Sequence, residues 1–199
     1  MTLGPPVARA CPTCSTAVVE LSLMSGNNIG AVAWSDGKVD APMLPDLPDI
    51  ARCPSCGTVF RLSTADEAPD VDARSLPWPP GPDADLFREA IDGGLAKHDY
   101  DEAGLRLRWW WAANDKHRGS EPPAPSGPLM ANLERLGALL GDSPPDIIQR
   151  AEVARARGRF DEAAALYERT AAGDDSYLAE IAARLRSLAE SGSRAVVRL

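Results

Sequence analysis

Four cysteines carry the clearest chemistry in this 199-residue chain: Cys11, Cys14, Cys53 and Cys56. They form two C-x-x-C pairs with proline at the second position, Cys11-Pro12-Thr13-Cys14 and Cys53-Pro54-Ser55-Cys56. A tight turn of this kind presents two thiolates to one metal while backbone amides hydrogen-bond the sulfurs, and two such turns complete the soft tetrahedron that zinc prefers. Four thiolates leave no open coordination position for water, so the expected zinc is structural rather than catalytic. Iron at the same sulfurs, and redox or disulfide chemistry, are the other readings of the pattern. No cysteine is left over. That suits metal capture in a reducing compartment better than a secreted disulfide scaffold, and the expected location is cytoplasmic.

The elements that hold the cysteines read as short strands. Between Cys11 and about Thr64 the chain is rich in Val, Gly and Pro, with alternating runs such as Val18 to Leu23. Ser25-Gly26-Asn27-Asn28 and Ser35-Asp36-Gly37-Lys38 read as turns, the second able to close a hairpin because Asp-Gly tolerates positive φ. A small antiparallel sheet is expected. Pro42, Pro45 and Pro48 recur every third residue, which forbids a helix and withholds backbone donors, so residues 41 to 49 read as an extended loop. Gly57 after the second pair allows the tight conformation that a zinc knuckle needs, whereas Ser15 follows the first. With these residues in view, residues 11 to 62 resemble the zinc-ribbon class, in which two knuckles on neighbouring hairpins clamp one zinc beside a small sheet. The 38 residues between the pairs are long for a minimal ribbon and imply an added hairpin and the proline loop. A rubredoxin-like iron site fits less well, because the first knuckle lacks that family's glycine and aromatic neighbours.

Residues 65 to 82, with Pro69, Pro77, Pro79, Pro80 and Pro82, read as a linker. It separates a metal-binding module at 1–64 from a helical domain at 83–199. Beyond Asp83 the apolar period changes from two to 3.6, and six helices are expected. Their stripes are Leu86 to Leu95, the Trp-rich stretch from Asp101 to His117, Leu129 to Leu140, Ile147 to Ala154, Phe160 to Tyr167 and Leu178 to Ala189. Asp83, Ser143 before Pro144 and Pro145, and Asp174-Asp175-Ser176 supply starting caps. The strings His98-Asp99-Tyr100-Asp101-Glu102-Ala103 and Arg157-Gly158-Arg159-Phe160-Asp161-Glu162-Ala163 resemble the turn between the two helices of a tetratricopeptide repeat. The resemblance implies an aromatic packed under a small alanine, Tyr100 with Ala103 and Phe160 with Ala163. These alanines lie 60 residues apart instead of one 34-residue repeat, so two separated hairpins are expected rather than a tandem array. The fold class is therefore α+β, a small antiparallel β module followed by an all-α antiparallel helical domain.

Candidate recognition residues are aromatic or flexible. Trp34, Asp36, Met43 and Phe60 are expected around the metal, where Trp34 and the Met43-Leu44-Pro45 loop either form a recognition surface or cover a sheet too small to bury itself. Trp109, Trp110 and Trp111 follow one another at about 100° per residue and cannot share a helix face, so they pack between two neighbours or leave one ring to anchor a partner. Lys116 to Arg118 are explained by the negative end of the helix dipole.

The chain is acidic, with a net charge of -8. Residues 1–64 hold five acids against four bases and the remainder 24 against 17, which disfavours nucleic acid and anionic membranes as ligands. No stretch approaches the roughly 18 apolar residues of a membrane span. His98 and His117 sit near expected helix ends, and the charges around Arg155, Arg157, Arg159, Asp161 and Glu162 have the texture of a solvated face. Ile91-Asp92-Gly93-Gly94 lacks the ending of a phosphate-binding loop. With no catalytic set assembled, the expectation is a non-enzymatic zinc-binding interaction or scaffold protein with a protein partner. A nucleic-acid or transcription-associated zinc ribbon, and a metal or redox sensor, are the alternatives.

Overall fold

The computed structural model describes residues 1–47, 49–172 and 175–199. Pro48 and Asp174, read above as part of the proline loop and of a helix start, lie outside them. In chain order the elements are β1 (Thr2–Leu3), β2 (Val7–Ala10), β3 (Ala17–Glu20), β4 (Leu23–Ser25), β5 (Val32–Ala33), β6 (Val39–Asp40), β7 (Ile50–Arg52) and β8 (Val59–Arg61). Six helices follow: α1 (Ala84–Asp92), α2 (Asp99–Asn114), α3 (Gly127–Leu139), α4 (Pro144–Ala156), α5 (Phe160–Ala171) and α6 (Ser176–Glu190). The chain divides into two compact units, Met1–Ala31 with Asp40–Lys97, and Val32–Val39 with His98–Leu199.

In the first unit the expected single sheet is replaced by separate two-stranded pairs, β1 with β4, β2 with β3 and β7 with β8. Strands of two to four residues, interrupted by knuckles and prolines that donate no ladder hydrogen bond, are too short to build a wider sheet. Their shared core is Cys11, Val18, Ala51, Cys53, Phe60 and Leu62. Helix α1 belongs to this unit and packs on β7 and β8, burying Leu86, Phe87 and Ala90. Asp83 starts it by accepting from the amide of Leu86 at 2.7 Å, as its side-chain type predicts. Part of the 65–82 stretch is also held down. Ala10 N donates to Asp66 O at 2.8 Å and Ala68 N to Ala8 O at 2.9 Å, on either side of an antiparallel bridge between Arg9 and Glu67.

The second unit stacks its helices in chain order, α2 on α3, α3 on α4, α4 on α5 and α5 on α6. One core cluster joins Trp110 to Leu133, Leu136 and Val153. Another is built of small residues around one ring: Ala151, Ala154, Ala163, Ala182 and Ala189 surround Tyr167 and Leu185. Each fully buried leucine here contributes about 1.5–3 kcal/mol, and the alanines let helix axes approach closely. Ser143 caps α4 ahead of Pro144 and Pro145, and Asp175 caps α6. His98 caps α2, its Nδ1 accepting from Asp101 N at 3.2 Å. Two expectations fail. Tyr100, in the first turn of α2, is 86% exposed rather than packed under Ala103. Arg155 is not on a solvated face but buried, 2% exposed, where it is paired with buried Glu152.

The segment Val32–Val39, with β5 and the turn of the β5–β6 hairpin, is the unexpected member of this unit. Gly37 takes φ +84° at its tip, as Asp-Gly foretells. Ser35 N donates to Val197 O and Leu199 N to Ala33 O, both at 2.9 Å.

Candidate metal centre

Both cysteine pairs sit at the tips of β-hairpins. Strands β2 and β3 run antiparallel from Val7 opposite Glu20 to Ala10 opposite Ala17, and the chain between them is the first knuckle. Strands β7 and β8 run from Ile50 opposite Arg61 to Arg52 opposite Val59, and hold the second. The two turns repeat each other bond for bond. Cys11 N donates to Thr16 O and Ser15 N to Cys11 O, while Cys53 N donates to Thr58 O and Gly57 N to Cys53 O, all at 2.8–2.9 Å. The residue after the second cysteine is left-handed in both, Ser15 at φ +60° and Gly57 at φ +76°. Ser15 therefore occupies glycine's conformation, which costs a residue with a Cβ about 1 kcal/mol.

The geometry brings all four sulfurs together, every pair of Sγ atoms lying within 4.8 Å. Cys11 Sγ is 3.7 Å from Cys56 Sγ, and Cys14 Sγ is 3.5 Å from Cys53 Sγ. A tetrahedron with Zn–S bonds of about 2.3 Å has edges of about 3.8 Å, so the thiols already stand close to the spacing one ion requires. Cys11 and Cys53 are buried against Phe60 and Leu62, whereas Cys14 and Cys56 face solvent.

Hydroxyls surround the exposed pair. Thr16 Oγ1 lies 3.3 Å from Cys14 Sγ and Thr58 Oγ1 lies 3.2 Å from Cys56 Sγ. Thr58 Oγ1 also donates to Thr13 Oγ1 at 3.1 Å, joining the knuckles. Side-chain and backbone hydrogen bonds with Thr16 pull the Cys14 thiol down to about 6, and those with Thr58 lower Cys56. Burial instead pushes Cys53 up to about 11. A dissociated Cys53 thiolate is thus disfavoured until a cation neutralises it, and metal binding here releases protons. The threonines were missed in reading the sequence, although each stands two residues after the second cysteine of its pair.

The recognition candidates are divided between the two units. Met43 lies in the first unit, 38% exposed beside Leu44, and Phe60 is in the core around Cys11 and Cys53. Trp34 and Asp36, expected around the metal, belong to the second unit. Asp36 is fully buried there. Its carboxylate accepts from Asn114 Nδ2 at 2.9 Å, Arg118 Nη1 at 3.0 Å and Lys38 N at 3.2 Å. Its carbonyl oxygen accepts from Trp111 Nε1 at 2.9 Å and Gln149 Nε2 at 3.0 Å. The Arg118 guanidinium lies 5.2 Å over the Trp34 ring, so this residue answers a buried acid as well as a helix end. The Trp run is thereby explained: Trp109 and Trp110 are buried, and half-buried Trp111 turns its N–H to the hairpin. Beside it Arg155 binds Glu152 through two hydrogen bonds, at 2.6 and 2.8 Å, and reaches Ser193 O at 2.8 Å and Ser35 Oγ at 3.3 Å. Tyr167 donates to the same Glu152 carboxylate. Against family models, curated proteins and solved structures alike, the chain finds no match, so the four-sulfur geometry is what carries a functional reading.

Proposed function

We propose that the protein is a non-enzymatic, zinc-binding interaction protein in which Cys11, Cys14, Cys53 and Cys56 hold one structural zinc. The observation that carries the reading is the repeated knuckle, two hairpin tips with matching hydrogen bonds that bring four sulfurs within 4.8 Å of one another. Four thiolates form a closed set, suited to tying the two hairpins together rather than to activating water. The small core of the first unit gains most from such a tie, because a few short strands bury little on their own. The hairpin-tip placement supports a zinc-ribbon-like arrangement, and the α4–α5 pair joined through Gly158 supports a tetratricopeptide-like one. Four free thiols suit a reducing cytoplasm, and the net charge of -8 favours protein over nucleic acid as the ligand.

Elemental analysis of the full chain purified under reducing conditions tests the metal. The expected result is one zinc per chain, lost in Cys53→Ser/Cys56→Ser together with the order of the first unit. Absence of stoichiometric metal, iron in its place, or a double variant that keeps the first unit folded would each overturn it.

A further inference from the structure

The stretch from Leu76 to Pro82, Leu-Pro-Trp-Pro-Pro-Gly-Pro, belongs neither to the cysteine cluster nor to the core clusters found among the described residues. Its conformation follows from composition. Pro77, Pro79, Pro80 and Pro82 fix their own φ near −65°, and Leu76, Trp78, Pro79 and Gly81 each precede a proline, which keeps them out of the helical region. Every residue of the seven is thus a proline, precedes one, or both. Leu76 stands at φ −78°, ψ 144°, values of polyproline II, and residues 77 to 83 have no regular secondary structure until Asp83 caps α1. From Pro77 to Pro82 every residue is exposed, with Trp78 at 66%.

A polyproline II segment repeats every three residues. Pro77 and Pro80 therefore lie along one edge, Pro79 and Pro82 along a second, and Trp78 along the third with Gly81, whose missing side chain leaves the indole unobstructed. Arg74 at one end and Asp83 and Asp85 at the other give the segment a direction. The other proline-rich loop differs: Leu44 N donates to Ala41 O at 2.9 Å and Asn27 N to Met43 O at 3.2 Å, so it is folded into turns. A plain spacer explains the prolines but has no use for an exposed tryptophan.

We propose that residues 76 to 82 are a preformed polyproline II ligand, anchored by Trp78, for a partner domain whose groove is lined with aromatic side chains. The segment meets the three demands of that recognition mode: a conformation held before binding, proline ridges that fit between aromatic rings, and residues exposed from Pro77 to Pro82. The inference deepens the interaction reading by naming the partner's chemistry, and it stands apart from the metal.

The test titrates full-chain, zinc-loaded protein with purified domains of the three aromatic-groove classes, SH3, WW and EVH1, by calorimetry. At least one is expected to bind below about 1 mM, and Trp78→Ala and Pro77→Ala/Pro80→Ala are each expected to weaken it by about tenfold or more. Pro42→Ala, in the folded proline loop, should leave that affinity unchanged. Far-UV circular dichroism checks that the variants keep their fold. No binding by any class, or binding that Trp78→Ala and the double proline variant leave intact, overturns the inference. In the second case the interaction reading survives with its surface elsewhere. Metal content measured on the same samples separates both results from a failure of the zinc assignment.

Discussion

Replacing Asp36 by alanine removes the acceptor on which the β5–β6 hairpin is fastened. The carboxylate is fully buried and receives the Arg118 guanidinium, the Asn114 amide and the Lys38 N–H. Without it the buried Asn114 Nδ2 has lost its partner, at a cost of about 1–3 kcal/mol. Arg118, whose side chain is 8% exposed, keeps Asp115 at 2.9 Å, which holds the ion-pair part at or below the low end of the roughly 3–5 kcal/mol for breaking a buried pair. The expected loss is about 3–4 kcal/mol, a large fraction of the stability of an ordinary domain. Asp36→Asn keeps the shape and one acceptor oxygen, and should lose about 1–2 kcal/mol. Urea unfolding followed by tryptophan emission, at constant zinc and reductant, gives the difference. Hydrogen exchange at Lys38 N reports the hairpin itself. Combined with Asn114→Ala, Asp36→Ala should show a coupling of about 1 kcal/mol or more. A loss under about 1 kcal/mol with exchange at Lys38 unchanged would refute the reasoning.

Ser15→Gly should stabilise the first knuckle by about 0.5–1 kcal/mol, and Gly57→Ala should destabilise the second by about 1 kcal/mol, read from thermal midpoints at fixed zinc. No atom lies within 4 Å of a Cβ at Gly57, so any loss there is backbone strain and not a clash. The guanidiniums of Arg135 and Arg106 hold the Glu102 carboxyl at about 2, well below its ordinary 4.5. A depressed carboxylate stabilises the fold above its unfolded pKa, so this contribution is present above about pH 4.5 and is lost as pH falls toward 2. Allowing for solvent screening it is worth about 1 kcal/mol, and Glu102→Gln should flatten the acid limb of the stability–pH curve over that window. Tyr167→Phe strips one donor from the buried Glu152 carboxylate and should cost about 1–2 kcal/mol in urea titrations, whereas an unchanged midpoint would mean that Arg155 alone satisfies Glu152.

The parts of this fold that were legible are those in which a local rule decides. The Cys-Pro-x-Cys pairs announced their own turns, apolar period separated helices from strands, and Asp83, Ser143 and Asp175 marked helix starts by side-chain type. Long-range partners were not legible. Nothing in the local sequence says that Asp36 answers Asn114 and Arg118, or that Arg155 turns inward, because a buried charge and a surface charge have the same one-letter code. Arg155, Arg157 and Arg159 read as one solvated run, yet only Arg155 meets an acid three residues earlier that is itself buried. Tyr100 shows the opposite error: its motif is local, but the packing expected of it is not, and the ring is 86% exposed. The paired threonines could have been found by aligning the two knuckles with each other, since Cys-Pro-Thr-Cys-Ser-Thr and Cys-Pro-Ser-Cys-Gly-Thr differ only by small residues.

The docking of residues 32–39 among elements that begin at His98 also has a bearing on synthesis at the ribosome. Val197 N donates to Ser35 Oγ across a separation of 162 residues. At about 5–20 residues per second, about 8–30 s pass between translation of the hairpin and of its last partner. Until Trp111, Asn114 and Arg118 are translated, the acid and the tryptophan of the hairpin have no helix to receive them, while both cysteine knuckles have already been made. A metal captured early would therefore hold the first unit while the hairpin of the second still waits for Val197.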